Sequence, residues 1–138
     1  MKTKVLFLCT GNSCRSQMAE GFLRDLGRDQ FEAHSAGTTP STLNPMAVEV
    51  MREAGIDIAG QWSKNASGYL GEHFAYIVTV CDNAKESCPI FPGPSRRLHW
   101  SFEDPADATG MDEDRRIFFR QVRDQIGARV KELVDKQG

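Results

Sequence analysis

The stretch from Lys4 to Leu26 constrains the fold more than any other part of the chain. Lys4-Val5-Leu6-Phe7-Leu8-Cys9 is a continuous apolar run, the pattern of a strand buried on both faces of a parallel sheet. It enters a turn, Thr10-Gly11-Asn12-Ser13. From Ser16 onward, Met18, Ala19, Phe22, Leu23 and Leu26 recur at spacings of three and four, which predicts a helix that Gly27 closes. The alternation then repeats. Phe31 to Ala36 reads as a second strand ended by Gly37. Asn44-Pro45 supplies an N-cap and an N1 proline for a helix carrying Ala47, Val48, Val50, Met51 and Ala54, which Gly55 stops. Residues 56–74 are turn-rich, with room for one short helix. Ala75 to Cys81 is the strongest strand, and Arg96 to Trp100 a weaker one. Asp112-Glu113-Asp114 opens a long helix with the apolar ladder Phe118, Val122, Ile126, Val130 and Val134, its acids placed where the macrodipole favours them. Strands alternating with helices predict one α/β domain over residues 1–138, a mostly parallel sheet with helices on both faces. Ligands of such sheets bind beyond the carboxyl ends of the strands, and Cys9 and Cys81 each end one.

Composition narrows the function. A chain of 138 residues, 40% hydrophobic and 26% charged, suits one globular core. No apolar run approaches the roughly 18 residues of a membrane span. Val5 to Thr10 is too short for a signal peptide and is followed by no small-residue cleavage site, so a cytoplasmic protein is expected. A net charge of -2 without a basic stripe argues against nucleic acid. Cys9, Cys14, Cys81 and Cys88 contain no CxxC pair, and His34, His73 and His99 are dispersed, so no bound metal is expected. In a reducing compartment such cysteines are thiols. They are then either buried small hydrophobes or catalytic.

The loop from Cys9 to Ser16 decides for catalysis. Joining a strand to a helix N-terminus, the backbone N–H groups of Thr10, Gly11, Asn12, Ser13, Cys14 and Arg15 can form a nest for an oxyanion. Gly11 and Asn12 are residue types that tolerate the left-handed backbone this curvature demands. Arg15 adds a two-pronged charged contact. The same donors are expected to lower the Cys9 thiol from its usual pKa of about 8.5, and Ser16 is placed to donate a hydrogen bond to that sulfur.

CTGNSCRSQMAE, from Cys9 to Glu20, resembles the anion loop of low-molecular-weight tyrosine phosphatases. It resembles more closely that of the thioredoxin-coupled arsenate reductases built on the same fold. The similarity extends over nearly the whole chain, through His34-Ser35-Ala36-Gly37, Gly55-Ile56-Asp57-Ile58, Val78-Thr79-Val80-Cys81, Cys88-Pro89, His99-Trp100 and Glu103-Asp104-Pro105. It implies a four-stranded parallel sheet in the order 2-1-3-4, with Asp104 as the acid that protonates the leaving oxygen. The phosphatases follow Asp-Pro with a tyrosine that walls the phenol ring. Here Ala106 stands instead, which suits a small oxyanion.

Cys81 and Cys88 are the stronger discriminator, since a phosphatase needs neither. If residues 82–87 are helical, the two Cα atoms lie roughly 10 Å apart, beyond the about 4.4–6.8 Å of a disulfide. The pair then bonds only when the segment unwinds. The resemblance implies a relay: Cys9 attacks arsenate, Cys81 attacks Cys9, Cys88 attacks Cys81, and thioredoxin reduces the product. No cofactor is bound in this reading. Phosphate or sulfate would act as analogues of arsenate, and the protein would be a monomer. Cys14 reads as packing, or as a thiol able to trap Cys9. Some relatives have a carboxylate at the place of Lys64, completing a potassium site with the residues matching Asn12 and Ser35. Lys64 either supplies the cation itself or is a solvated surface lysine. Two other readings remain open: a phosphomonoester hydrolase using Cys9, Arg15 and Asp104 alone, and a non-catalytic oxyanion-binding module.

Overall fold

The computed structural model describes residues 2–81, 91 and 93–137. Its strands are β1 (Thr3–Cys9), β2 (Phe31–Gly37), β3 (Tyr76–Thr79) and β4 (Arg96–His99). Its helices are α1 (Arg15–Leu26), α2 (Pro45–Glu53) and α3 (Asp112–Gln137). Short 3-10 turns at Ala66–Tyr69 and Pro105–Asp107 complete the described elements. The helix expected over 82–87 lies outside the described residues, as does Cys88.

All strand pairs are parallel, and the order is β2-β1-β3-β4, as the resemblance implied. β1 is central, and its buried apolar run reflects neighbours on both sides. Cys9 pairs with Gly37, and Leu8 lies in register with Thr79, itself paired with His99. The residues that follow β1, β3 and β4 therefore leave the sheet along one edge. β3 is shorter than expected, because after Cys9 the central strand turns away into its loop. Beyond Thr79 the Val80 N–H, donated to Leu8 O at 2.9 Å, continues the pairing with β1.

Alternation along β1 and β2 separates two faces. Phe7 packs on Trp100 (6.0 Å between rings), over which Arg129 of α3 sits, and Ser35 bonds to Glu20 of α1. The opposite face carries His34, Tyr69, Phe74 and Phe91 in edge-to-face contacts. The asparagine cap of α2 forms as expected, Asn44 Oδ1 accepting from Met46 N at 2.8 Å. The buried stripe of α3 is Phe119, Val122, Ile126, Val130 and Leu133, so the ladder shifts by one residue at each end. Those five positions keep the 3-4 spacing facing the core, whereas Phe118 and Val134 fall on its flank.

Candidate active site

After Cys9 the chain bends tightly. Asn12 takes a left-handed φ of 50°, a conformation that asparagine tolerates better than most residues. Gly11 does not share it. Its smallness instead admits Ser41, whose hydroxyl would lie 3.2 Å from a Cβ at that position. The loop carbonyls all point outward and are bonded. Cys9 O, Thr10 O, Gly11 O and Ser13 O accept from the N–H groups of Thr38, Thr39, Ser41 and Asn44 at 2.9–3.2 Å. Asn12 O accepts from Gln17 Nε2 at 2.9 Å and Ser63 Oγ at 2.7 Å. The N–H groups of residues 11–14 donate to no backbone carbonyl among the described residues. At the N-terminus of α1, Cys14 offers no side-chain cap, and the first turn holds no acid. Inward N–H groups at an uncapped helix start form an anion nest. Gly37 makes the bend possible, since a Cβ there would lie 2.5 Å from Thr10 O. In the sequence that glycine reads only as a strand end.

Arg15 lies across the nest with its side chain 11% exposed. NH1 donates to Phe102 O at 3.0 Å, and NH2 is 3.4 Å from Asp104 Oδ2. Its Nε is buried and has no hydrogen-bond partner among the described residues. An orphaned donor of this kind is costly unless a ligand completes it. Asp104 starts the second 3-10 turn, its Oδ1 accepting from Ala106 N at 3.0 Å. Burial pushes the Cys14 thiol up to about 11, with Asp104 adding to the shift and Ser13 and Arg15 opposing it.

Cys9 and Cys81 are both buried and in hydrogen-bonding contact. Thr10 Oγ1 lies 3.4 Å from Cys81 Sγ. The expected lowering of the Cys9 pKa is reversed. Cys81 is the main cause, because two touching thiols share a proton readily but resist losing both, and burial adds to it. The Arg15 guanidinium and the Thr10 N–H oppose the rise without overcoming it. The loop's donors are legible in the sequence, whereas the neighbouring thiol is not.

A buried polar cluster backs the loop. Asn12 Nδ2 donates to Ser16 Oγ at 2.8 Å and Ser35 Oγ at 3.0 Å, and Asn12 Oδ1 accepts from Lys64 N at 2.9 Å. That bond from Asn12 is the one described for Ser16; the expected bond to Cys9 is not among the described contacts. Lys64 is not a solvated surface residue. Its side chain is 14% exposed, and Nζ donates to Trp62 O at 2.7 Å, lies 3.5 Å from Glu20 Oε1 and sits 5.0 Å from the Trp62 ring centre. Burial lowers its pKa, and Glu20 opposes the shift. His34 is bonded to Glu32, His73 to Pro94 O and His99 to Thr79. Among the described residues no three His, Cys, Asp or Glu side chains are grouped to hold a metal. No described helix is long and apolar enough to cross a membrane.

A thiol, an arginine and a carboxylate thus converge on a backbone nest, with a second thiol touching the first. Known proteins share this frame. The chain is 47% identical over 134 residues to the arsenate reductase of Shouchella clausii, covering 97% of this chain and 96% of that one. A solved arsenate reductase in its oxidized state superposes with a TM-score of 0.85 at 33% identity, covering all of both chains. Another, in a phosphate binding state, gives 0.78 at 35% identity, covering 99% and 98%. Residues 4–137 match the family of low molecular weight phosphotyrosine protein phosphatases. The chain belongs to that family, beside those of its members that are arsenate reductases.

Proposed function

We propose that this protein reduces arsenate to arsenite with electrons drawn from its own thiols. The observation that carries the reading is the contact between Cys9 and Cys81. Ester hydrolysis uses one thiol, whereas a second buried sulfur against the nucleophile suits a disulfide-forming step. The relatives named arsenate reductases support the substrate, and the unpartnered Arg15 Nε supports an oxyanion lodged in the loop.

In this mechanism arsenate lodges in the nest and completes the Arg15 donors. The Cys9 thiolate attacks arsenic while Asp104 gives its proton to the departing hydroxide, so water leaves and a sulfur–arsenic bond forms. The Cys81 thiolate then attacks Cys9 Sγ. The electron pair of the breaking sulfur–arsenic bond stays on arsenic, which departs as arsenite, and the two sulfurs become a disulfide. Cys88, outside the described residues, next displaces Cys9 from Cys81. The resulting Cys81–Cys88 disulfide is reduced by an external dithiol, for which thioredoxin is the proposed donor. Contact with Cys81 and burial hold the Cys9 proton in the empty site, so the scheme requires Cys9 to lose it before attack, and Cys81 becomes the nucleophile once arsenic occupies Cys9. The same nucleophile, arginine and acid support weak hydrolysis of aryl phosphates as a side reaction. The reading extends to a monomer working in the cytoplasm.

Arsenite formation with thioredoxin and its reductase tests the relay. Cys9→Ser should abolish both arsenate reduction and aryl phosphate hydrolysis. Cys88→Ala should complete about one turnover and stop as the Cys9–Cys81 disulfide, with aryl phosphate hydrolysis retained. Repeated turnover by Cys88→Ala with thioredoxin as sole reductant would overturn the three-thiol scheme.

A further inference from the structure

Among the described residues seven polar side chains are buried, and six of them, Asn12, Ser16, Gln17, Glu20, Ser35 and Gln61, lie behind the anion loop, where the catalytic scheme uses little of them. Five belong to a closed ring of hydrogen bonds. Asn12 Nδ2 donates to Ser35 Oγ at 3.0 Å, and Ser35 donates to Glu20 Oε1 at 2.6 Å. Arg24 joins Glu20 Oε2 to Gln61 Oε1, the latter at 2.9 Å. Gln61 Nε2 donates to Gln17 Oε1 at 2.8 Å and Gln17 O at 3.0 Å. Gln17 Nε2 closes the ring on Asn12 O at 2.9 Å and Asn12 Oδ1 at 3.1 Å, and also reaches Trp62 O at 2.8 Å.

The direction of each bond is forced. Gln17 Nε2 faces three acceptor oxygens, so its own Oε1 must accept. That requires a donor from Gln61, whose remaining oxygen in turn requires a donor, supplied by Arg24. Arg24 is the one solvent-exposed member, its side chain 55% exposed. The arm Gln17–Gln61–Arg24 thus holds the main-chain carbonyl of Asn12 on the outer side of the loop. Asn12 is the residue in the left-handed conformation, and turning its carbonyl outward aims the N–H of Ser13, in the same planar peptide, inward.

We propose that Gln17 and Gln61 are positioning residues for oxyanion binding. They fix the Asn12 peptide through an amide relay anchored at the surface by Arg24, and so preorganise the nest before the anion arrives. Neither touches the anion. The proposal rests on the oxyanion reading of the loop, and inorganic phosphate serves as the probe.

Two variants address Gln61. Gln61→Glu is nearly isosteric but sets carboxylate oxygens against Gln17 O and Oε1. Gln61→Met keeps the volume and removes the bonds, and serves if the charged variant does not fold. Phosphate affinity is measured by titration calorimetry well below the melting temperature, alongside KM and kcat for arsenate. Loss of preorganisation should weaken phosphate binding about fivefold or more, the worth of roughly one hydrogen bond. The arsenate KM should rise in parallel while kcat at saturation stays near wild type. Arg24→Lys should recover more of the affinity than Arg24→Met. A folded Gln61→Met protein that melts earlier yet binds phosphate as the wild type does would overturn the positioning role and leave the amides merely structural. A wild type that binds no phosphate would overturn the oxyanion reading itself, a distinguishable failure.

Discussion

On the Asn12 side of the anion loop the polar side chains are buried and bonded from several elements at once: α1, β2 and the 61–64 segment. On the Asp104 side the carboxylate is one-third exposed, held by one turn N–H and an ion pair at 3.4 Å. The difference matches two chemical tasks. A binding cradle gains from rigidity, because its dipoles need no reorganisation when charge arrives. A proton donor must meet a leaving oxygen whose position changes during reaction, and a loosely held carboxylate can follow it.

Substitutions on the two sides should separate rate from affinity. Asp104→Asn should slow arsenate reduction by about 10²–10⁴-fold while phosphate affinity stays near wild type. If phosphate binding fell in step with the rate, the division between the sides would fail. Asn12→Gly and Asn12→Ala should both weaken phosphate binding with smaller effects on kcat, since both lose the side-chain bonds. Alanine must also bear the left-handed backbone, so it should be less stable than glycine by about 1 kcal/mol in urea unfolding. Equal stabilities would mean that the loop relaxes out of that conformation. The smallest effect concerns Lys64. If its ammonium supplies the cation for the Glu20 side, potassium should not raise activity above a sodium control of equal ionic strength. Lys64→Asp should then acquire a potassium response. A wild type already stimulated by potassium would contradict this role.

What could be read from sequence follows the range of each interaction. The first strand, its loop and α1 were legible because their signals are local: an apolar run, a turn, then 3-4 spacing. The convergence of Asp104 on Arg15 came from a resemblance, since no local pattern joins residues so far apart in the chain. Gly37 was missed in its main role, because the oxygen a side chain would strike belongs to Thr10, in the loop that follows the neighbouring strand. Gln17 and Gln61 gave no signal either, being 44 positions apart and of a type usually found at surfaces. Lys64 was open to a surface reading for a similar reason: its enclosure depends on Glu20 and the backbone of Trp62. The rise in the Cys9 pKa required knowing that Cys81 touches it.

The outward carbonyls and inward N–H groups of residues 9–14 have a consequence for selectivity. Such a cradle measures negative charge and tetrahedral shape, and arsenate and phosphate offer both alike. Phosphate is therefore expected to compete for the loop, and discrimination comes afterwards, when only the arsenic centre can accept two electrons. The same dependence on charge governs departure. Arsenite is an uncharged acid at neutral pH, so reduction abolishes the attraction that held the substrate. The reaction itself empties the site.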